Sequence, residues 1–214
     1  MKAVIFDMDG VLFDTERLGI EAWDYAGKKM NIEKTEDMVF KALGMNVKTV
    51  NKMLKEEYGK DFDIELFRKY CDEYVDEFIS KNKVPVKKGL YNILNYLKEN
   101  NFKTAIASSS NKNTILRNLK SADIIDFFDI IVSGDMVEKS KPEPDIYEKA
   151  AELLDLSPAE CYAIEDSRNG LLSAQGAGCK TIMVPDLWQG DKETDSFIIA
   201  KCKDLDEAIE FISI

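Results

Sequence analysis

Asp7 and Asp9 are separated by one residue and followed at once by Gly10. Two carboxylates in one site split their protonation behaviour, so that one can act as an acid while the other stays ionised. Three more polar groups follow at wide intervals: Ser108-Ser109-Ser110-Asn111-Lys112, Lys141-Pro142, and Glu165-Asp166-Ser167. Asp7, Asp166 and Glu165 offer hard anionic oxygens that suit magnesium, a cation that keeps several waters and takes up substrate phosphate oxygens. Lys141 would bring positive charge to a phosphate. Ser108, with the backbone amides of Ser109 to Asn111 at a helix start, would donate hydrogen bonds to it. Asp7 is then free to attack phosphorus and form an aspartyl-phosphate. Asp9 would protonate the leaving oxygen and later take a proton from water.

These groups stand at the ends of predicted strands. Short apolar runs occur at Ala3-Val4-Ile5-Phe6, Thr104 to Ala107, Asp129 to Val132, Cys161 to Ile164 and Thr181 to Val184. Helical segments lie between them at Leu90 to Lys98, Thr114 to Leu119, Ile146 to Leu154 and Leu171 to Ala177. Apolar runs alternating with helices predict a parallel sheet covered on both faces, and such sheets bind ligands beyond the carboxyl ends of their strands. Asp145 with Glu148 resembles a capping box, and Gly176 and Gly178 are expected to stop the last helix. Residues 16–82 have a different texture. Leu18, Ala22, Trp23, Ala26 and Met30 form one helical stripe. Val50, Met53, Leu54 and Tyr58 form another, and Phe67, Tyr70, Cys71, Tyr74, Val75 and Phe78 a third, with Asp63 as its N-cap. These stripes read as the core of a helical bundle. The expected organisation is a core of residues 1–15 and 83–214 around an inserted helical domain of residues 16–82, with Val84 to Gly89 as the return linker.

Composition narrows the chemistry. The 214 residues include no histidine, which removes Ser-His-Asp and Cys-His nucleophiles and any His-containing metal site. A net charge of −11 disfavours nucleic acid and anionic membrane surfaces as partners. No apolar run is long enough to span a bilayer, and the opening Met1-Lys2 with its short apolar run does not read as a signal peptide. Cys71, Cys161, Cys179 and Cys202 form no C-x-x-C pair, and read as buried reduced thiols of a cytoplasmic protein. No heptad run or large apolar surface helix calls for a second copy, so a monomer is expected.

Singly, each polar residue has an ordinary reading: Asp7 and Asp9 as strand-end caps, Lys141 as a surface lysine, Asp166 as a helix cap. In order at four strand ends they form a specific set. The segments Asp7 to Glu16, Ala107 to Ser110, Ser140 to Asp145 and Ile164 to Ser167 resemble the motifs of the haloacid dehalogenase superfamily, in particular its β-phosphoglucomutase-like branch. The resemblance runs along essentially the whole chain. It implies an α/β fold, a Rossmann-like parallel-sheet core with an inserted α-helical cap domain. It further implies Asp7 as nucleophile and Asp9 as general acid/base. Magnesium would be held by Asp7, the backbone carbonyl of Asp9 and Asp166, with Glu165 contributing. Ser108 and Lys141 would hold the phosphoryl group, and the cap would select a small phosphate ester. An aspartate at position 9 resembles the phosphatases and phosphomutases of the superfamily rather than its dehalogenases, because their leaving oxygen needs a proton.

The mutases of this branch resemble the pattern but use a cap histidine and a cap arginine. Gly19 and Val47 stand at those places here, and Lys48 lacks the bidentate fork of an arginine. Water is therefore the expected phosphoryl acceptor, and a sugar phosphate the expected ester. A phosphomutase is the alternative, and a non-catalytic sugar-phosphate sensor would leave Asp9 unexplained. Glu16 and the Gly44 to Lys48 loop are the cap residues expected at the substrate. Ser109 and Asn111 are candidates for phosphate contact, Asn111 with helix capping as its competing role. Arg168 and Asn169 would either orient substrate or stabilise the loop that leads into the Leu171 helix.

Overall fold

The computed structural model describes residues 2–42 and 47–213, apart from the side chains of Glu36 and Phe40. The chain divides into two compact units, one of Met1–Asp14 with Val86–Ile214 and the other of Thr15–Pro85.

The larger unit holds six parallel strands: β1 (Ala3–Phe6), β2 (Lys103–Ser108), β3 (Ile130–Ser133), β4 (Cys161–Glu165), β5 (Lys180–Met183) and β6 (Ala200–Lys201). Their order across the sheet is β3-β2-β1-β4-β5-β6. All four residues of β1 are fully buried. Side chains alternate between faces along a strand, so both faces of the sheet are covered, as the unbroken apolar run Ala-Val-Ile-Phe requires. The two-residue β6 closes the apolar run Phe197 to Ala200 and is not among the expected strands. The α-helices of this unit, numbered after those of the insertion, are α5 (Leu90–Glu99), α6 (Lys112–Ser121), α7 (Asp145–Leu153), α8 (Arg168–Ala177) and the short α9 (Leu205–Ala208). Helix α7 packs on β2 and β3, and α8 on β4 and β5. Between them Ile146, Tyr147, Ala150, Ala151 and Ala174 close over Ala105, Ala107 and Ala163. Small residues on the sheet let these helices approach closely.

Strands β1 and β4 are neighbours, yet the chain runs from β1 to β2 on one side and from β4 to β5 on the other. That reversal opens a crevice at the carboxyl ends of β1 and β4, where ligands bind in open α/β sheets. The Asp7 amide donates to the Ile164 carbonyl at 3.0 Å, which carries the pairing one residue past β1.

The smaller unit contains α1 (Thr15–Met30), α2 (Thr35–Ala42), α3 (Val47–Tyr58) and α4 (Ile64–Asn82). Helices α1 and α4 pack along each other. Phe67 is buried at the centre, with Ala26, Val50 and Leu54. Trp23 meets the Phe67 ring edge-on at 5.1 Å between centroids, and Phe62 lies 5.7 Å away. The Asp63 carboxylate caps α4, accepting from the Leu66 amide at 2.9 Å. Asp63→Ala should therefore lower stability by about 1 kcal/mol. Urea unfolding would read the loss as a lower midpoint, and an unmoved midpoint would mean that water replaces the cap at no cost.

Three local expectations are corrected. Asp145 does not cap a helix: it is the first residue of α7, behind Pro144, and no side chain caps that end. The fixed φ of proline supplies the helix start instead. Gly176 lies inside α8, and Gly178 alone ends the helix, at φ 94°. Cys71 is only half-buried, whereas Cys161, Cys179 and Cys202 are buried, and all four are free thiols. No helix among the described residues is long and apolar enough to cross a membrane.

Candidate active site

The first loop of the site begins where β1 stops. The chain turns back on itself, with the Leu12 and Phe13 amides donating to the Met8 carbonyl and the Gly10 amide to the Phe13 carbonyl. Gly10 takes φ +82°, and a Cβ there would run into the Asp166 carboxylate. The glycine thus serves both the turn and the close approach of the β4 loop.

Lys141 gathers the buried groups. Its Nζ donates to Asp7 Oδ1 at 2.5 Å, Glu165 Oε1 at 2.6 Å and the Ala107 carbonyl at 3.0 Å. The three donors of the ammonium are therefore all used, by the ends of β1, β4 and β2. Asp7, Lys141, Glu165 and Asp166 are all buried. Burial alone would lower the Lys141 pKa, but the Asp7 and Glu165 carboxylates outweigh it and hold the lysine above its ordinary value. Burial pushes the Asp7 carboxyl well above the usual carboxylate range; Lys141 opposes the rise, and Glu165 and Asp9 add to it.

The donor set fits a divalent cation. Ligand atoms of Asp7, Glu165 and Asp166 lie within 4.8 Å of one another. Asp7, Glu165 and Asp166 are three buried carboxylates, and an excess of negative charge in such a place is costly. A small hard cation would offset it with the oxygen donors it prefers.

The serine loop after β2 supplies hydroxyls. The Ser108 hydroxyl is buried and accepts from the Ser110 amide at 3.1 Å. The Ser110 hydroxyl donates to Asp9 Oδ2 at 2.8 Å, tying the β2 loop to the β1 loop. Gly134, just past β3, packs against the Ser109 backbone, where a Cβ would clash. Its amide donates to the Ser110 carbonyl at 3.1 Å. Asn111 is the N-cap of α6 and accepts from the Thr114 amide at 3.0 Å, so its side-chain oxygen is spent on the helix.

Of the residues expected from sequence, Asp7, Asp9, Ser108, Ser109, Asn111, Lys141, Glu165 and Asp166 all belong to the larger unit, and hydrogen bonds or buried ion pairs link Asp7, Lys141 and Glu165 directly. Glu16 lies in the first turn of α1, in the helical unit. Leu43 to Asn46 fall outside the described residues, and Val47 and Lys48 open α3 as exposed residues. Arg168 ties α8 to the loop after β5, with Nε on Asp191 Oδ2 at 3.0 Å and a second ion pair to Glu193. Three residues escaped the sequence reading. Ser110 was visible only as a third hydroxyl in a run. Tyr147 reads as one more apolar position of α7, yet its hydroxyl donates to Glu165 Oε1 at 2.7 Å. Gly170 faces Glu165 so closely that a Cβ would overlap the carboxylate. Gly170→Ala should lower stability by about 1–3 kcal/mol through this overlap and reduce turnover with it. Thermal unfolding beside an activity assay checks both, and an unchanged melting temperature would show that the carboxylate can yield.

Comparison with known proteins agrees with this geometry. The family model of haloacid dehalogenase-like hydrolases matches residues 4–184. The chain belongs to that family, with the Rossmann-like core and inserted helical domain of its fold. It is 33% identical over 182 residues to a phosphorylated carbohydrates phosphatase of Thermotoga maritima, covering 85% of this chain and 84% of that one. It is 35% identical over 188 residues to the β-phosphoglucomutase of Bacillus subtilis, covering 83% and 80%. Among solved structures, CbbY from Rhodobacter sphaeroides in complex with phosphate superimposes with a TM-score of 0.84 at 23% identity, over 97% of this chain and 96% of that one.

Proposed function

We propose that this chain is a magnesium-dependent phosphatase that hydrolyses a small phosphorylated sugar through an aspartyl-phosphate on Asp7. The chain is a phosphoric monoester hydrolase. The observation that carries the fuller reading is the buried Lys141 ammonium held between Asp7 and Glu165, at 2.5 and 2.6 Å, at the carboxyl ends of β1 and β4. The 33% identity to a phosphatase of phosphorylated carbohydrates supports a sugar phosphate as substrate.

Asp7 and Asp166 would hold magnesium, together with the backbone carbonyl of Asp9 and with Glu165 beside them. Once bound, the cation would supply positive charge that lessens the repulsion of the Asp7 carboxylate by the phosphoryl oxygens. The remaining work belongs to the side chains. Lys141 draws in the phosphoryl group by its charge, one of its three present hydrogen bonds giving way to a phosphoryl oxygen; the Ser108 hydroxyl orients the group, and Ser109 and the amides at the start of α6 add donors around it. An Asp7 oxygen attacks phosphorus; the bond from phosphorus to the ester oxygen breaks, and that oxygen takes the proton of Asp9. Asp9, now ionised, removes a proton from water. The resulting hydroxide attacks the same phosphorus, inorganic phosphate leaves, and the Asp7 carboxylate is restored. Ser110, bonded to Asp9 Oδ2 at 2.8 Å, steadies the acid between the two steps. Glu16 would face the substrate from the helical domain.

A second reading, transfer to another sugar hydroxyl, is favoured by the 35% identity to a β-phosphoglucomutase. Against it stand Gly19, where a side chain would meet nothing within 4 Å, and a chain without histidine. Incubation with a panel of sugar, polyol and nucleotide monophosphates separates the two. Magnesium-dependent release of inorganic phosphate, lost in EDTA and regained on adding magnesium, is expected. Isomerisation of glucose 1-phosphate without release would instead establish the mutase, and release that survives EDTA would remove the metal from the reading.

A further inference from the structure

The serine loop leaves the sheet beside the turn that follows β3. Ser108 and Ser133 are the last paired residues of β2 and β3, so the two chains run off the sheet edge as neighbours. Gly134 opens a single 3-10 turn, Gly134–Met136. It does not take a positive φ, so any residue could adopt its backbone conformation, and the reason for a glycine is space. The three atoms nearest to a Cβ built there all belong to the Ser109 backbone: the carbonyl oxygen in outright overlap, the carbonyl carbon at 3.0 Å and Cα at 3.2 Å. A methyl group would make this backbone yield by roughly 1 Å to regain an ordinary contact of about 3.5 Å. A flexible side-chain tip could swing away; a backbone cannot without carrying its loop along. The Gly134 amide also donates to the Ser110 carbonyl at 3.1 Å. Ser110 is thus gripped at both ends, by Gly134 through its carbonyl and by Asp9 through its hydroxyl at 2.8 Å. One residue on, the Asp135 carboxyl is held below the usual carboxylate range by the Ser133 hydroxyl and its own amide, and then by the amide and ammonium of Lys112, the first residue of α6.

We infer that the turn after β3 is the mould of the serine loop, and that Gly134 and Asp135 are positioning residues for the phosphoryl group. Gly134 sets how far the Ser109 backbone can retreat toward β3, and Asp135 steadies the first turn of α6. Together they fix where the amides of Ser109 to Asn111 come to rest. Those amides have to converge on one anion, and hydrogen bonds weaken steeply when their donors are misdirected. A displacement of about 1 Å near reacting groups can cost about 10²-fold in rate. The carboxylates proposed for the metal stand on the loops after β1 and β4, so the mould bears on the anion rather than on the cation. The inference rests on the proposed function in one respect, that the serine loop receives the phosphoryl group.

The test separates anion from cation. With saturating magnesium, inorganic phosphate is titrated by calorimetry into wild type, Gly134→Ala, Asp135→Ala and Asp135→Asn. Magnesium alone is titrated into each, and steady-state kinetics run alongside. For Gly134→Ala, phosphate affinity should fall about tenfold, the scale of a lost hydrogen bond to a charged group. Its kcat/KM should fall about 10–100-fold, while magnesium affinity stays within about twofold of wild type. The cost of Ser108→Ala to phosphate affinity should also shrink in the Gly134→Ala background, since both changes act on one loop. The two Asp135 variants lose the same charge from an exposed residue, so any electrostatic relief of the anion is common to them. Only asparagine keeps an acceptor toward Lys112. Asp135→Asn should therefore bind phosphate about fivefold more tightly than Asp135→Ala, and this pair decides the question if Gly134→Ala does not fold. Unchanged phosphate affinity in Gly134→Ala, an equal loss of magnesium and phosphate affinity there, or equal phosphate affinity in the Asp135 pair overturns the assignment. So does a wild type that binds no phosphate. A wild type that binds phosphate yet releases it from no ester defeats the phosphatase reading alone, and the titrations still decide the role of the turn.

Discussion

Asp7→Asn is expected to end phosphate release while leaving the fold and substrate binding intact. Asparagine keeps the size and the hydrogen-bonding oxygen of aspartate but lacks the anionic oxygen that the proposed attack on phosphorus requires. The loss should reach at least ~10⁴-fold in kcat, the scale seen when a member of a nucleophile system is removed. The fold should tolerate the change, because burial already works against a charge at position 7 and pushes that carboxyl upward. Lys141 would still be held by Glu165 and by the Ala107 carbonyl. Circular dichroism should be unchanged, and a sugar phosphate should still bind by calorimetry. Turnover within tenfold of wild type would deprive Asp7 of its role as nucleophile. Lost binding with an intact fold would assign it to substrate capture alone.

Lys141→Met should damage both stability and chemistry. Methionine fills most of the lysine volume but leaves the Asp7 and Glu165 carboxylates buried without their cation. Removing one partner of a buried ion pair costs about 3–5 kcal/mol, and on the proposed function the same ammonium is the charge offered to the phosphoryl group, so kcat should fall about 10²–10³-fold as well. The two effects can be separated. On the proposed function magnesium binds the native state, so saturating magnesium should restore part of the stability without restoring turnover. Denaturant midpoints with and without the cation read the first effect, and initial rates the second. A midpoint unmoved in metal-free buffer would mean that the carboxylates shed their charge by taking up protons, and would sink the claim that Lys141 holds this cluster together.

Most of the sheet is legible from sequence because its strands are buried on both faces. Ala3 to Phe6 and Cys161 to Ile164 have no polar alternation to confuse with an edge. The exception is β6, where only Ala200 of the apolar run Phe197 to Ala200 is paired in the sheet, together with Lys201. Helix starts are harder to read. Asp63 caps α4 as its position suggests, yet Asp145 does not cap α7, because Pro144 had already fixed the turn. Asp7, Lys141, Glu165 and Asp166 are legible as strand-end residues of types that can do chemistry together. Tyr147 is not, since a helix position facing the core looks the same whether its hydroxyl is used or wasted. The Asp9–Ser110 approach joins residues more than a hundred positions apart and the Glu165–Gly170 approach spans the turn from β4 into α8, and only the folded chain reveals them.

The connection to the helical domain has a consequence of its own. Phe13 pairs with Val86 in an antiparallel bridge, and the Lys87 amide donates to the Leu12 carbonyl at 2.9 Å. The outgoing and returning chains are thus hydrogen-bonded neighbours within the larger unit, so a short turn could join them. Everything between is an ornament on a finished scaffold in the topological sense. Such a junction accepts wholesale exchange: loops of very different length close at nearly the same entropic cost. Selection can then trial one inserted module after another on an unchanged hydrolase core, and a designer can do the same by grafting at these two positions.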